Sequence, residues 1–411
     1  MTKTRKIIND PVFGFLSIPD GLLFQILQHP YLQRLNRIRQ LGLSFFVYPG
    51  AMHSRFLHSL GAMHLMREAI NSLREKGVEI TEDEATAAMA AILLHDVGHG
   101  PFSHVMEHTL VEGITHEEIS LMMMMHMRNQ LPEHLAQQLD LAIAIFKDEY
   151  HKHFLHQLIS SQLDVDRLDY LCRDSFFCGV TEGSVASARI LKMMNVTEDG
   201  HLVVEAKGIY SVEKFLVARR LMYWQVYLHH TSVAAEQLLI KILERAKELA
   251  NKGVELFCSP ALHYFLYNRI TADIFVKDTN ALKQYALLDD ADLLSAIKIW
   301  MDCEDKVLRE LCQHFTNRQL FKGKLIDLPL SAEQVEALNK QYAERFGIDK
   351  SDAHYFFIEH VSTSNTYSEK GEAIGILYKD GVVKDIADAS DMLNMESLTF
   401  KPQKRYLFSL V

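Results

Sequence analysis

From about Gly21 to about His314 apolar residues recur at helical spacing, broken by short Gly and Pro punctuation and never by a long linker. The first three quarters of the chain is therefore expected to be all-α. Ser54 to Lys76 reads as one helix, ended by Gly77. Thr81 to Val97 reads as a second, with Thr81 and Glu84 forming a capping box and Gly98 as the stop. Ser211 to Lys252 runs 42 residues without Gly or Pro. Unbroken, that stretch would span roughly 60 Å and could brace a dimer.

The pattern changes after about Leu320. FKGKLIDLPL is strand-like, Ser331 with Gln334 caps a helix that closes at Gly347, and KRYLFSLV reads as a last strand. Between them, AIGILYKDGVVKDI places Asp380-Gly381 between two apolar runs, a type I′ hairpin signal. A chain of 411 residues exceeds one compact core. The expectation is a mainly α body over residues 1–315 with a small α+β appendage over 316–411.

A net charge of −10 argues against a broad nucleic-acid-binding surface, so an anionic ligand must meet a local basic pocket. The five cysteines form no CxxC pair, which suggests free thiols. No segment carries 18 consecutive apolar residues, and MTKTRKIINDPVFG lacks a signal peptide's apolar stretch. A cytoplasmic protein without a membrane partner is expected. The methionine run Met122 to Met125 reads as helical core filler.

Chemistry concentrates in LLHDVGHGPFSH, Leu93 to His104. His95 and Asp96 are adjacent, about 100° apart on a helix, so both grip one ion only near a helix end. A lone His-Asp pair is weak evidence, since buried pairs of this kind often serve packing. RFLHSLG and QLDVDRLDYLCRD add His58 and Asp166. Two imidazoles and two carboxylates suit one divalent Mn, Fe, Co, Ni or Zn ion per chain better than calcium, with magnesium possible. Open coordination positions would leave room for water and phosphate.

The order H…HD…D, with HDVGHGPFSH and DVDRLDY, resembles the HD superfamily of phosphohydrolases, in its branch near the deoxynucleoside triphosphate triphosphohydrolases. DPVFG, QRLNRIRQLGLSFFVYPGAMHSRFLHSLG and VYLHH extend the likeness over about the first 250 residues. The resemblance implies a helical HD bundle holding a metal at His58, His95, Asp96 and Asp166. It also implies His116 as general acid, His104 and Glu107 as its supporting network, and His99 facing phosphate. Arg55, Arg167 and Arg219 match phosphate-binding positions, the second where relatives may carry lysine. Gln40, Leu41, Tyr170, Asp174 and Tyr227 match positions around the sugar.

Spacing agrees in part. Arg55 lies three residues before His58, and Asp166, Tyr170 and Asp174 recur every four residues along one stripe. Two departures limit the transfer. Phe13 stands where relatives often carry histidine, and Gln28 and Asn36 replace the charged pair that reads a guanine effector in the animal branch. His95-Asp96 is followed by VGHG, which fits neither the HD-GYP nor the HDxxED signature. The implied activity is hydrolysis of a deoxynucleoside triphosphate to deoxynucleoside and tripolyphosphate by a homo-oligomer. The alternatives are an HD hydrolase of another nucleotide or phosphoester, and a nucleotide-binding regulatory protein.

Overall fold

A computed structural model describes residues 4–102, 105–106, 109–364, 373–392 and 402–411. Its centre is the Arg55–Glu75 helix, buried along most of its length. Against it lies the Glu82–Leu94 helix, whose residues from Ala85 to Leu94 are nearly all buried. A helix apolar on every face belongs inside a core, and its five alanines let neighbours approach closely. Its first turn carries Glu82, Asp83 and Glu84, which complement the helix dipole, and the Thr81–Glu84 capping box is formed. The Glu133–Phe146 helix packs on its outer side, and the Val165–Cys178 helix packs on Arg55–Glu75.

The second expected helix is shorter than its periodicity suggests. It ends at Leu94, so that His95 and Asp96 sit in the turn beyond it. Gly98 is not a left-handed stop. A Cβ there would stand 2.1 Å from the His116 carbonyl oxygen and 2.4 Å from the Ser120 nitrogen, so the close approach of the next helix requires glycine.

The long run from Ser211 to Lys252 is not one helix either. Ile209–Met222 is α-helical, Tyr223–Tyr227 widens into a π turn, and a new helix, His230–Asn251, starts after an extended His229. Tertiary bonds explain the break: Tyr48 donates to the Gln225 carbonyl at 2.5 Å, Tyr227 donates to Asp174 at 2.9 Å, and the His229 ring accepts the Thr231 N–H. Pulled outward, Tyr223 and Tyr227 both reach a cavity wall.

Near the C-terminus Gln403–Ser409 is the middle strand of an antiparallel sheet, between Lys322–Leu325 and Phe357–Thr363. The Ala332–Phe346 helix, capped by Ser331 and Gln334 and closed by Gly347 at φ 57°, covers it with Tyr342 and Phe346. The predicted hairpin forms from Gly375–Leu377 and Val383–Asp385, but only Gly381 within its turn has positive φ. The type I′ geometry needs positive φ at Asp380 as well, so that expectation is corrected. Nor does the hairpin join the first sheet: Gly375–Leu377 pairs in parallel with Leu202–Glu205, beside Met194–Val196. Among the described residues all five cysteines are free thiols, and no helix is long and apolar enough to cross a membrane. Met123 and Met124 are buried in the His116–Arg128 helix, while Met125 is exposed.

Candidate functional site

Two helices and one turn converge on a point. His58 comes from the Arg55–Glu75 helix, His95 from the turn after Leu94, and Asp166 from the first turn of Val165–Cys178. His58 Nε2 is 3.0 Å from Asp166 Oδ1, His95 Nε2 is 3.4 Å from the same oxygen, and the two imidazole nitrogens are 3.4 Å apart. Ligands at bond lengths of about 2.0–2.2 Å are separated by about such distances when they occupy neighbouring coordination positions. Asp96 completes the cluster, 3.3 Å from His95 and 3.8 Å from His58, with its Oδ2 also held by Arg55 at 2.6 Å.

The remaining ring nitrogens set the tautomers. His95 Nδ1 donates to the Ile92 carbonyl at 2.7 Å and His58 Nδ1 to Asp169 at 2.7 Å, so both Nε2 lone pairs face the cluster when the rings are neutral. Burial lowers the His58 pKa, but hydrogen bonds to Asp166 and Asp169 outweigh it and push the imidazole up to about 10. Against the upward pull of burial, His58 and His95 hold the Asp166 carboxyl well below its usual range. The groups that favour protonated imidazole favour any cation placed among them, so a proton and a divalent ion compete for this cluster. The donor set fits a transition metal and lacks the many oxygens calcium takes.

Behind His58 runs a buried relay. Asp169 receives Arg173 at 2.9 Å through two nitrogens, and Arg173 donates to Asp10 at 2.8 Å, with both ion pairs fully sealed from solvent. Asp10 also accepts the backbone N–H groups of Val12 and Phe13 in the N-terminal turn. Gly61 makes room: a Cβ there would stand 1.9 Å from the Asp169 carboxylate. Arg173→Met is expected to cost about 3–5 kcal/mol of stability in denaturant melts, because it strands two buried carboxylates. A loss under about 1 kcal/mol would show that the relay is solvated.

Further residues arrange themselves around Asp96. His99 Nε2 lies 3.3 Å from it, and His116 stacks on His99 with ring centroids 3.8 Å apart. Burial and the Arg55 charge push His99 down to about 3, so its imidazole is neutral. The turn from Val97 to His99 is pinned by Arg34, fully buried, which donates to the Val97 and His99 carbonyls at 2.9 and 2.8 Å, while Tyr285 donates to the Gly98 carbonyl. His104 and Glu107 lie outside the described residues.

A cavity of 570 Å³ opens beside this cluster, lined in part by Arg55, Arg167, Gln40, Leu41, Tyr170 and Tyr227. Asp174 also reaches the wall, with one oxygen on His53 Nε2 at 2.7 Å and the other on the Tyr227 hydroxyl. Arg219 is not part of the lining; it lies over the Tyr223 ring and donates to Gln162. Sequence reading missed Arg34, His53, Asp169 and Arg173. Only Asp169 and Arg173 left a signal, an acid and a base four residues apart on the stripe's flank.

An HD domain signature matches residues 55–174 and an HD associated region matches 185–257. The Bacillus subtilis protein YwfO is 33% identical over 97% of this chain and 90% of its own length. The crystal structure of a phosphohydrolase from Bacteroides thetaiotaomicron superposes with a TM-score of 0.95 at 56% identity, covering 98% of this chain and 99% of the other. Human deoxynucleoside triphosphate triphosphohydrolase SAMHD1 is 28% identical, covering 83% of this chain and 59% of the human protein. With the His58, His95 and Asp166 cluster in place, these likenesses show that the chain belongs to the HD-superfamily phosphohydrolases, near the deoxynucleoside triphosphate triphosphohydrolases.

Proposed function

We propose that the chain hydrolyses deoxynucleoside triphosphates to deoxynucleoside and tripolyphosphate. The observation that carries this reading is the continuity of the His58, His95 and Asp166 cluster with a cavity of 570 Å³, a size that suits a nucleotide, through Arg55 and Tyr170. His58, His95, Asp96 and Asp166 would hold one divalent ion. Such an ion supplies Lewis acidity toward phosphate oxygens and lowers the pKa of water.

The chain's own residues do the rest. Arg55 and Arg167 neutralise phosphate charge, and His99 lines the approach. Water attacks the α-phosphorus, the bond from phosphorus to the sugar's 5′ oxygen breaks, and His116 donates its proton to that leaving oxygen. Arg219 steadies Tyr223 in the wall and does so without touching phosphate. Tyr227, edge-on to Tyr170 with centroids 5.9 Å apart and anchored by Asp174, forms a packed wall with Gln40 and Leu41. A ribose 2′-hydroxyl would clash there or lose its hydrogen bonds. Assembly of several copies belongs to the same proposal, supported by Tyr210, Val217 and Leu221, which the Ile209–Met222 helix leaves exposed on one side.

The test supplies each deoxynucleoside triphosphate and its ribo counterpart singly, with Mn and with Mg, and separates the products. Deoxynucleotides are expected to turn over faster, yielding tripolyphosphate, without added guanine nucleotide. Gln28 and Asn36 are exposed, and Asn36 bonds only to Gln33 among the described residues, so no charged pair awaits an effector. Equal turnover of dATP and ATP would contradict the sugar wall. Release of inorganic phosphate or pyrophosphate would move the attack away from the α-phosphorus and favour another phosphoester.

A further inference from the structure

The cavity has a wall that phosphate chemistry leaves unused. The His230–Asn251 helix lines it with Val233, Glu236, Gln237 and Ile240, the i, i+3, i+4, i+7 positions of one helical face. Two apolar side chains thus frame two polar ones. Gln237 is only 8% exposed, and among the described residues neither the Glu236 nor the Gln237 side chain has a hydrogen bond or an ion pair. Glu236 is partly buried, and desolvation alone pushes its carboxyl up to about 7, as befits an acid that has lost water without gaining a partner. Unpaired polar groups facing a cavity carry a desolvation cost that a ligand group can relieve.

Charge fixes which part of a nucleotide meets this wall. Phosphates are drawn to Arg55, Arg167 and the cluster of His58, His95 and Asp166, and a carboxylate beside them would repel them. Glu236 therefore meets the uncharged end of the ligand. We infer that Glu236 and Gln237 read the hydrogen-bonding edge of the nucleobase and favour bases that carry an exocyclic amino group over thymine. Ionised, the form that an amino-group donor favours, the Glu236 carboxylate only accepts, and the amino groups of adenine, cytosine and guanine donate to it, with the Gln237 amide serving the neighbouring ring nitrogen or carbonyl. Thymine has no exocyclic amino group and offers a carboxylate only its N3–H, flanked by two carbonyls that repel the charge, so the match is poorer. The inference rests on the deoxynucleotide reading proposed above.

The experiment measures kcat/KM for dATP, dCTP, dGTP and dTTP singly, in wild type and in E236Q. The amide keeps the shape of the side chain but donates as well as accepts, so the preference for dCTP and dATP over dTTP is expected to fall about 10- to 100-fold, the value of a hydrogen bond to a charged group. Metal content by elemental analysis is expected to match wild type, which separates base reading from damage to the cluster. Wild-type turnover with ratios in E236Q unchanged within about twofold, or an equal loss for all four nucleotides, overturns the assignment of Glu236 while leaving the deoxynucleotide reading intact. A wild-type enzyme that turns over none of the four removes both.

Discussion

Asp166→Ala is expected to purify as folded protein without its divalent ion and to lose phosphohydrolase turnover by on the order of 10³-fold or more, since several kcal/mol of charge stabilisation at phosphorus go with the ion. Asp166 is the sharper choice among the carboxylates. Its Oδ1 faces both imidazole Nε2 atoms at once, at 3.0 and 3.4 Å, whereas Asp96 divides its oxygens among Arg55, His99 and the cluster. The Asp166 side chain is 27% exposed and helps no buried core, so its loss spares the fold. Its neighbour Asp164, which caps the helix through the Arg167 N–H, stays in place. Elemental analysis on the folded variant decides the matter: full occupancy would place the ion elsewhere.

His116→Ala is expected to reduce kcat by about 10²- to 10⁴-fold while KM and metal content stay near wild type, because a general acid acts in the transition state. The geometry allows this separation. The helix that begins at His116 is capped by Thr115 and Glu118, so removing the imidazole leaves the cap intact. Stacking on the neutral His99 ring holds the His116 ring beside the Asp96 end of the cluster, and its Nε2 lies 3.2 Å from Glu117. An unchanged kcat with a raised KM would make His116 a contact residue and leave the proton to another group.

Much of the arrangement was legible along the chain because it depends on local rules. The capping boxes at Thr81 and Ser331 are formed by residues three apart, and each has the same physics in a peptide as in the protein. The stripe of Asp166, Tyr170 and Asp174 follows from helical geometry alone, and it does run from the ion cluster to the cavity wall. Arg55 and His58 share a face for the same reason, and Arg55 reaches Asp96.

Where the reading failed, a distant group had intervened. Periodicity carried the second helix to Val97 and made Ser211 to Lys252 continuous, since each residue there is a competent helix former. Tyr48, Asp174 and the His229 cap, from elsewhere in the fold or just past the turn, outweigh that propensity and open the π turn. Arg219, a phosphate ligand by resemblance alone, lies over the Tyr223 ring and donates to Gln162, contacts that no local pattern in the sequence announces.

The sequence by itself determined the class of fold, the four ion-binding candidates and the helices that present them, because helix periodicity, caps and ligand chemistry are written in residues a few positions apart. Only the tertiary structure decided how those candidates are supported. The relay from His58 through Asp169 and Arg173 to Asp10 spans the chain from its N-terminal turn, and Arg34 clamps a turn 63 residues away. The wall of Glu236 and Gln237 lies on the helix that starts after the π turn, and it faces Arg55, Arg167 and Tyr170 across the cavity through tertiary packing alone. Such contacts are fixed by burial and charge pairing between segments far apart in sequence, where the satisfaction of one buried group depends on where another has been brought.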